Sequence, residues 1–180
     1  MYKKALEFAW KAHEGQVRKY NGLPYILHPI RVANDVMEAR TRFGGYIKEY
    51  QKAALLHDVC EDCNITKNII SDEFGEIVAN IVWSLTSYSK QIKSTSNRKQ
   101  RKQLDRNYLS QQSLETKFIK LLDRLDNLNE VPIGEDFGKI YAEESLELLE
   151  VLCQSDLHLP THRDYITEYN FRCRQLLGEV

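Results

Sequence analysis

Ala53-Ala54-Leu55-Leu56 runs straight into His57-Asp58-Val59-Cys60-Glu61-Asp62. Four small or aliphatic residues in a row predict a buried segment, and four ionisable groups follow where it emerges. On a continuous helix His57 and Glu61 stand one turn apart, as do Asp58 and Glu61 or Asp62, so an imidazole and several carboxylates can share one patch. Buried unpaired charge is costly, and a divalent cation removes that cost. A solvated helix end carrying ordinary charges is the competing reading.

The helical period extends in both directions from this junction. Only 8 glycines and 4 prolines interrupt 180 residues, and the apolar spacing between them is mostly three and four. An all-α fold is predicted, with helices beginning near Tyr2, after Pro29, and near Lys48 and Glu73. Others are expected after Asn97 and near Leu114, Lys139 and Thr161. Ile77, Ile81 and Leu85 mark one face of a middle helix, and Leu146, Leu149 and Cys153 mark a later one. Ile166, Tyr169, Cys173 and Leu176 stripe the last, which Pro160 and the capping-type Thr161-His162-Arg163-Asp164 introduce. Gly15 to Pro29 and Val131 to Gly138 read as loops, and the polar, serine-rich, basic stretch from Ser87 to Gln112 reads as a mobile loop entering a helix.

A composition of 42% hydrophobic and 28% charged residues suits one compact domain over residues 1–180. The formal net charge of −1 offers no global attraction for nucleic acid or an anionic membrane. The early Lys3, Lys4, Glu7 and Lys11 leave no long apolar core for a signal peptide or membrane span, so a cytoplasmic protein is expected. Cys60 and Cys63 have CxxC spacing, but no second CxxC completes a structural zinc site. Reduced thiols are the expectation for these two and for Cys153 and Cys173.

Two further constellations carry chemistry. In Leu121-Leu122-Asp123-Arg124-Leu125-Asp126-Asn127-Leu128, Asp123 and Asn127 lie one turn apart, and the leucines form an apolar stripe that drives the helix and Asp123 into the core. Arg124 is the nearest candidate partner for that carboxylate, and Asp126 is read as facing solvent. In Gly22-Leu23-Pro24-Tyr25-Ile26-Leu27-His28-Pro29, the proline is placed to open a helix and so to aim His28. A packed or capping histidine is the alternative there. Together His28, His57, Asp58 and Asp123 form a mixed N/O donor set suited to Mn²⁺ or Fe²⁺ with open coordination positions. Such a metal lowers the pKa of bound water and polarises a phosphoryl oxygen, while Glu61 or Asp62 handles protons.

These three motifs, in this order, resemble the HD-domain hydrolases of the RelA/SpoT group, in particular the small stand-alone hydrolases of the alarmones guanosine tetra- and pentaphosphate. Arg18-Lys19 with Gly22-Leu23-Pro24-Tyr25-Ile26-Leu27-His28-Pro29 is similar to the family's first motif. His57-Asp58-Val59-Cys60-Glu61-Asp62 and Lys120-Leu121-Leu122-Asp123-Arg124-Leu125-Asp126-Asn127-Leu128 are similar to the next two. The resemblance implies an HD-domain helical fold around a metal, with His28, His57, Asp58 and Asp123 as ligands, normally to Mn²⁺, and Glu61 and Asp62 assisting the nucleophilic water. It implies that Arg18 and Lys19 approach the base or phosphates, that Asn127 contacts the ribose, and that Tyr141 touches the nucleotide. A guanine-nucleotide substrate releasing pyrophosphate is the expected chemistry. Lys99, Arg101 and Lys102, with Arg18 and Lys19, are the available positive charge, a solvated basic face being the alternative for Arg98 to Lys102. No aromatic residues interleave that run, which argues against nucleic acid. Another nucleotide phosphate such as NADPH, or a non-catalytic nucleotide-binding regulator, are the rival readings.

Overall fold

A computed structural model describes residues 2–39, 47–153 and 163–180. Eleven helical segments occur among them: α1 (Tyr2–Ala12), α2 (Leu27–Glu38), α3 (Ile47–Leu56), α4 (Val59–Asp62), α5 (Lys67–Phe74), α6 (Glu76–Leu85), α7 (Tyr88–Gln91), α8 (Arg98–Ser110), α9 (Leu114–Glu130), α10 (Asp136–Cys153) and α11 (Arg163–Leu177). The all-α expectation holds. The predicted cap at Thr161 and Pro160 lies outside the described residues. No helix of the described residues is long and apolar enough to cross a membrane.

Helix α3 is the inner wall of the site. Ala53, Ala54, Leu55 and Leu56 are all fully buried, and α3 packs against α1, α2, α6 and α9. Helix α9 crosses the middle, burying Phe118, Ile119, Leu121, Leu122, Leu125 and Leu128 against α2, α10 and α11. Its start is set by Ser113, whose hydroxyl accepts from the Thr116 amide at 3.2 Å, satisfying one of the free amides of the first turn. Helix α11 closes the far side, where buried Tyr169 donates its hydroxyl to the Ser145 carbonyl at 2.8 Å.

Several expectations shift by a turn or less. The predicted helix near Glu73 is two helices, α5 and α6, parted at Gly75, whose φ of 91° few other residues tolerate. In α6 the buried stripe is Val78, Ala79, Ile81, Val82 and Leu85, while Ile77 is exposed, because α6 is covered by α3 as well as α5. Helix α2 begins at Leu27, before Pro29. Proline is tolerated there because amides of the first turn lack intrahelical partners in any case. From Ser87 onward the basic stretch folds as α7 and α8, the latter opened by a capping box between Asn97 and Gln100.

The loop ahead of α2 is built as well. Val17 and Pro24 form an isolated antiparallel bridge, with Arg18 donating its amide to the Leu23 carbonyl at 2.8 Å. Gly22, at φ 69°, makes the reversal. The hairpin-like loop lays the Arg18 guanidinium 5.2 Å from the centre of the Tyr25 ring.

Candidate active site

The helix that carries the apolar run stops at Leu56, and His57 and Asp58 occupy the turn before α4. This corrects the continuous helix expected from spacing. The Asp58 carbonyl accepts from the Glu61 and Asp62 amides at 3.1 and 2.8 Å, so the chain restarts in a new direction. His57 and Asp58 then face inward, whereas Glu61 turns to the Ser87 amide at 2.8 Å and to Lys90 at 2.9 Å.

His28, His57 and Asp58 bring one ligand atom each within 4.8 Å of one another. His57 Nδ1 lies 2.7 Å from the Ala54 carbonyl oxygen. A carbonyl only accepts, so Nδ1 carries the proton and Nε2 of the neutral ring presents its lone pair. That Nε2 is buried without a hydrogen-bond partner, 3.0 Å from Asp58 Oδ2 and 3.5 Å from Asp123 Oδ1. His28 is arranged likewise. Its Nδ1 donates to Asp126 Oδ2 at 2.6 Å, and its Nε2 sits 3.1 Å from Asp123 Oδ1 and 3.6 Å from Asp58 Oδ2.

The two imidazole Nε2 atoms and Asp58 therefore form one cluster with Asp123 against both rings, an arrangement stable only with protons or a cation among them. Burial opposes charging of His57, but Asp58 and Asp123 overcome it and raise its pKa well above the usual histidine range. Burial likewise works against Asp123 ionising, yet Lys120 and the two imidazoles hold it well below the usual carboxylate range. A mixed set of imidazole and carboxylate donors fits a divalent cation, and His57 Nε2, buried without a hydrogen-bond partner, is the atom that calls for one.

The supporting contacts revise two expectations. Asp123 is paired with Lys120, whose Nζ lies 2.7 Å from Oδ2, and not with Arg124. Arg124 turns instead to α10, its guanidinium 4.4 Å from the Tyr141 ring centre. Asp126 does not face solvent: besides His28 it receives the Arg31 guanidinium at 2.6 and 2.9 Å. Three residues along α9 turn a side chain by about 300°, roughly 60° short of a full turn and nearly one turn further on, so Asp126 meets His28 Nδ1 while Asp123 faces Nε2.

Three more side chains complete the shell. Tyr25 donates its hydroxyl to Asp58 Oδ2 at 2.7 Å, and its ring stacks on buried His13 at 4.8 Å. Asn127 donates to the Asp123 carboxylate at 2.8 Å and accepts from Arg18 Nη2 at 2.7 Å. Arg18 is also fixed by Glu130 at 2.7 Å. The sequence gives no local signal for Tyr25 or Lys90, because Tyr25 lies inside the first motif and Lys90 inside the basic stretch while their partners Asp58 and Glu61 are distant in the chain.

A cavity of about 250 Å³ opens beside this shell, and Arg18, Lys19, Tyr25, Asn127, Phe137 and Tyr141 line it. The four residues expected to meet substrate thus share one cavity although they span three separate parts of the chain. Lys19 lies 4.8 Å from the Phe137 ring centre, so the walls alternate aromatic faces and cations. Glu61 and Asp62 stand apart from the cluster of ligand atoms, joined by Lys90, which reaches Asp62 at 3.1 Å. Burial raises the Glu61 pKa, but Lys120, the Ser87 amide and Lys90 outweigh it and keep the group a carboxylate. The four cysteines are free, with Cys173 buried and the others half-buried. Burial pushes the Cys60 thiol up to about 11, far from a reactive thiolate.

Residues 5–151 match the family model described as HD domain. A guanosine-3′,5′-bis(diphosphate) 3′-pyrophosphohydrolase of Vibrio cholerae serotype O1 is 35% identical over 139 residues, 76% of this chain and 19% of that protein. An Aquifex aeolicus protein of the same name is 36% identical over 147 residues, 81% of this chain and 20% of that one. The chain thus spans about a fifth of the length of these curated relatives. Among solved structures, one described as a metazoan ortholog of SpoT that hydrolyzes ppGpp superposes with a TM-score of 0.73 at 23% identity, covering 99% of this chain and 96% of that one. A Listeria monocytogenes EGD-e protein superposes at 0.62 with 26% identity, over 87% of this chain and 99% of that one. With that match over most of its length, and with helices placed as in those folds, this chain belongs to the HD domain family.

Proposed function

We propose that the protein is a Mn²⁺-dependent guanosine-3′,5′-bis(diphosphate) 3′-pyrophosphohydrolase, acting as one HD domain in the cytoplasm and converting guanosine tetra- or pentaphosphate to GDP or GTP and pyrophosphate. The observation that carries the reading is the buried, partnerless His57 Nε2 facing Asp58 and Asp123. It lies beside a cavity walled by aromatic rings and cations. The names of relatives at 35–36% identity support the substrate.

His28, His57, Asp58 and Asp123 would hold the cation, with Fe²⁺ as an acceptable substitute. The cation supplies Lewis-acid charge at the phosphoryl group and lowers the pKa of a water. Glu61, kept ionised by Lys120, Ser87 and Lys90, accepts a proton from the attacking water. The water oxygen bonds to the phosphorus attached to O3′, the P–O3′ bond breaks, and O3′ takes a proton delivered through Asp62. Pyrophosphate is released. Tyr25 and Asp126 orient Asp58 and His28. Arg18 and Lys19 meet the base or phosphates, Asn127 the ribose and Tyr141 the nucleotide, with the purine against an aromatic wall.

The test is pyrophosphate release from guanosine tetraphosphate by purified protein with Mn²⁺, run beside NADPH and ordinary nucleotides. Release is expected for the alarmone and its loss in Asp58→Ala. Turnover by Asp58→Ala, or faster turnover of NADPH, overturns the reading.

A further inference from the structure

A second cavity, of about 60 Å³, lies along the face of α9 that carries Lys120 and Arg124, with Ser87, Lys102 and Arg106 also in its wall. A site for one water needs roughly 10–15 Å³ on this scale, so the cavity has room for several waters or one tetrahedral phosphate. Its charges do not balance internally. Asp105 and Glu144 also line it, but both are engaged. Asp105 accepts from the Ser89 amide and hydroxyl at 2.7 and 3.1 Å, and Glu144 takes the Arg98 guanidinium at 2.7 and 2.9 Å. Arg106 is paired with Glu147 at 2.7 Å, and Lys120 with Asp123.

Two cations remain. Arg124 is only 8% exposed, and its Nη1 is buried with no hydrogen-bond partner. Lys102 forms no ion pair among the described residues, and burial together with the neighbouring Arg124 charge lowers its pKa. A buried guanidinium N–H left unbonded beside a second cation is costly. An oxyanion would relieve both, accepting from Arg124 Nη1 and from the Lys102 ammonium. The cavity also touches the reaction centre. Lys120 is shared with Asp123, and Ser87, in the wall, holds Glu61 through its amide.

We propose that this cavity is an oxyanion pocket in which Lys102 and Arg124 take the outer phosphate of the 3′-pyrophosphoryl group. The pocket is argued from geometry, and only its link to the 3′ group rests on the hydrolase reading. It gives the enzyme a way to prefer a 3′-pyrophosphate over a 3′-monophosphate, since only the second phosphate extends past Lys120 to Lys102 and Arg124.

The test uses inorganic pyrophosphate and orthophosphate titrated into the full chain in EDTA, followed by calorimetry and by thermal melting. Pyrophosphate is expected to bind and to raise the melting temperature. Lys102→Gln should weaken that binding by about tenfold while melting no lower than wild type on its own, because it removes a like charge beside Arg124. Lys11→Gln, the same charge change at an exposed position of α1, should bind as wild type. Equal affinities for Lys102→Gln and wild type, or no binding by wild type, overturn the pocket. Orthophosphate is expected to compete with pyrophosphate for the same two cations, and failure to compete would overturn a pocket that holds a single phosphate. With Mn²⁺, Lys102→Gln should lower kcat/KM for guanosine tetraphosphate but not for its 3′-monophosphate analogue. Absent turnover in wild type would sink the hydrolase reading alone, since the EDTA titration still decides the pocket.

Discussion

Asp126 and Tyr25 do not converge on the proposed cation, yet each fixes a residue that does. The carboxylate of Asp126 on His28 Nδ1 selects the tautomer that turns Nε2 toward Asp58 and Asp123. Contacts of this kind typically alter metal affinity or activity 10–100-fold. Asp126→Ala is therefore expected to weaken Mn²⁺ binding by about that factor, measured by calorimetry, with the helical circular dichroism unchanged. Tyr25→Phe removes only the hydroxyl that donates to Asp58 Oδ2 and keeps the ring against His13. Its turnover should fall roughly tenfold, with little change in melting temperature.

At the level of single elements, two positions separate conformational from electrostatic effects. Gly75 joins α5 to α6 at φ 91° and ψ 158°, and a Cβ placed there meets nothing within 4 Å. The cost of Gly75→Ala is backbone strain alone, about 1–3 kcal/mol in denaturant melts. On α2, Asp35 is raised to about 6, first by burial and then by Glu38, Asp126 and Glu168. Its folded pKa lies above the unfolded value of about 3.9. The stability it allows is complete below pH 4 and is lost as pH rises through 6. Asp35→Asn should thus melt with wild type at pH 4 and above it at pH 7. The gain is on the order of 1 kcal/mol once solvent screening of this half-buried group is allowed for. A constant difference at both pH values would count against the assignment.

For the molecule as a whole, the site and the core are one structure, because the proposed ligands sit on α2, on α9 and in the turn that ends α3, and these same helices bury the core leucines and valines. Leu122 is fully buried one residue from Asp123, and Leu122→Ala should cost about 2–5 kcal/mol through the cavity it leaves. Binding a cation across α2, α3 and α9 stabilises the folded state in proportion to the logarithm of its concentration over Kd. At one hundred times Kd this is about 2.7 kcal/mol. Mn²⁺ should therefore raise the melting temperature and EDTA reverse the shift, whereas Asp58→Ala should melt alike in both.

Sequence periodicity was enough to determine the helical class and the buried run before His57, because these depend on local spacing, whereas the set His28, His57, Asp58 and Asp123 came from the resemblance in motif order. The breaks at Leu56 and Gly75 were less legible, since an apolar period of three to four continues across both. The partners of Asp123, Asp126 and Arg124 were decided only by tertiary structure. Each sits a residue or two from the next on α9, about 100° apart, so whether it meets Lys120, His28 or Tyr141 depends on how α2 and α10 pack around that helix. The cavity holding Lys102 and Arg124 belongs to the same class: it arises where α8, α9 and α10 meet, and no stretch of the chain contains it.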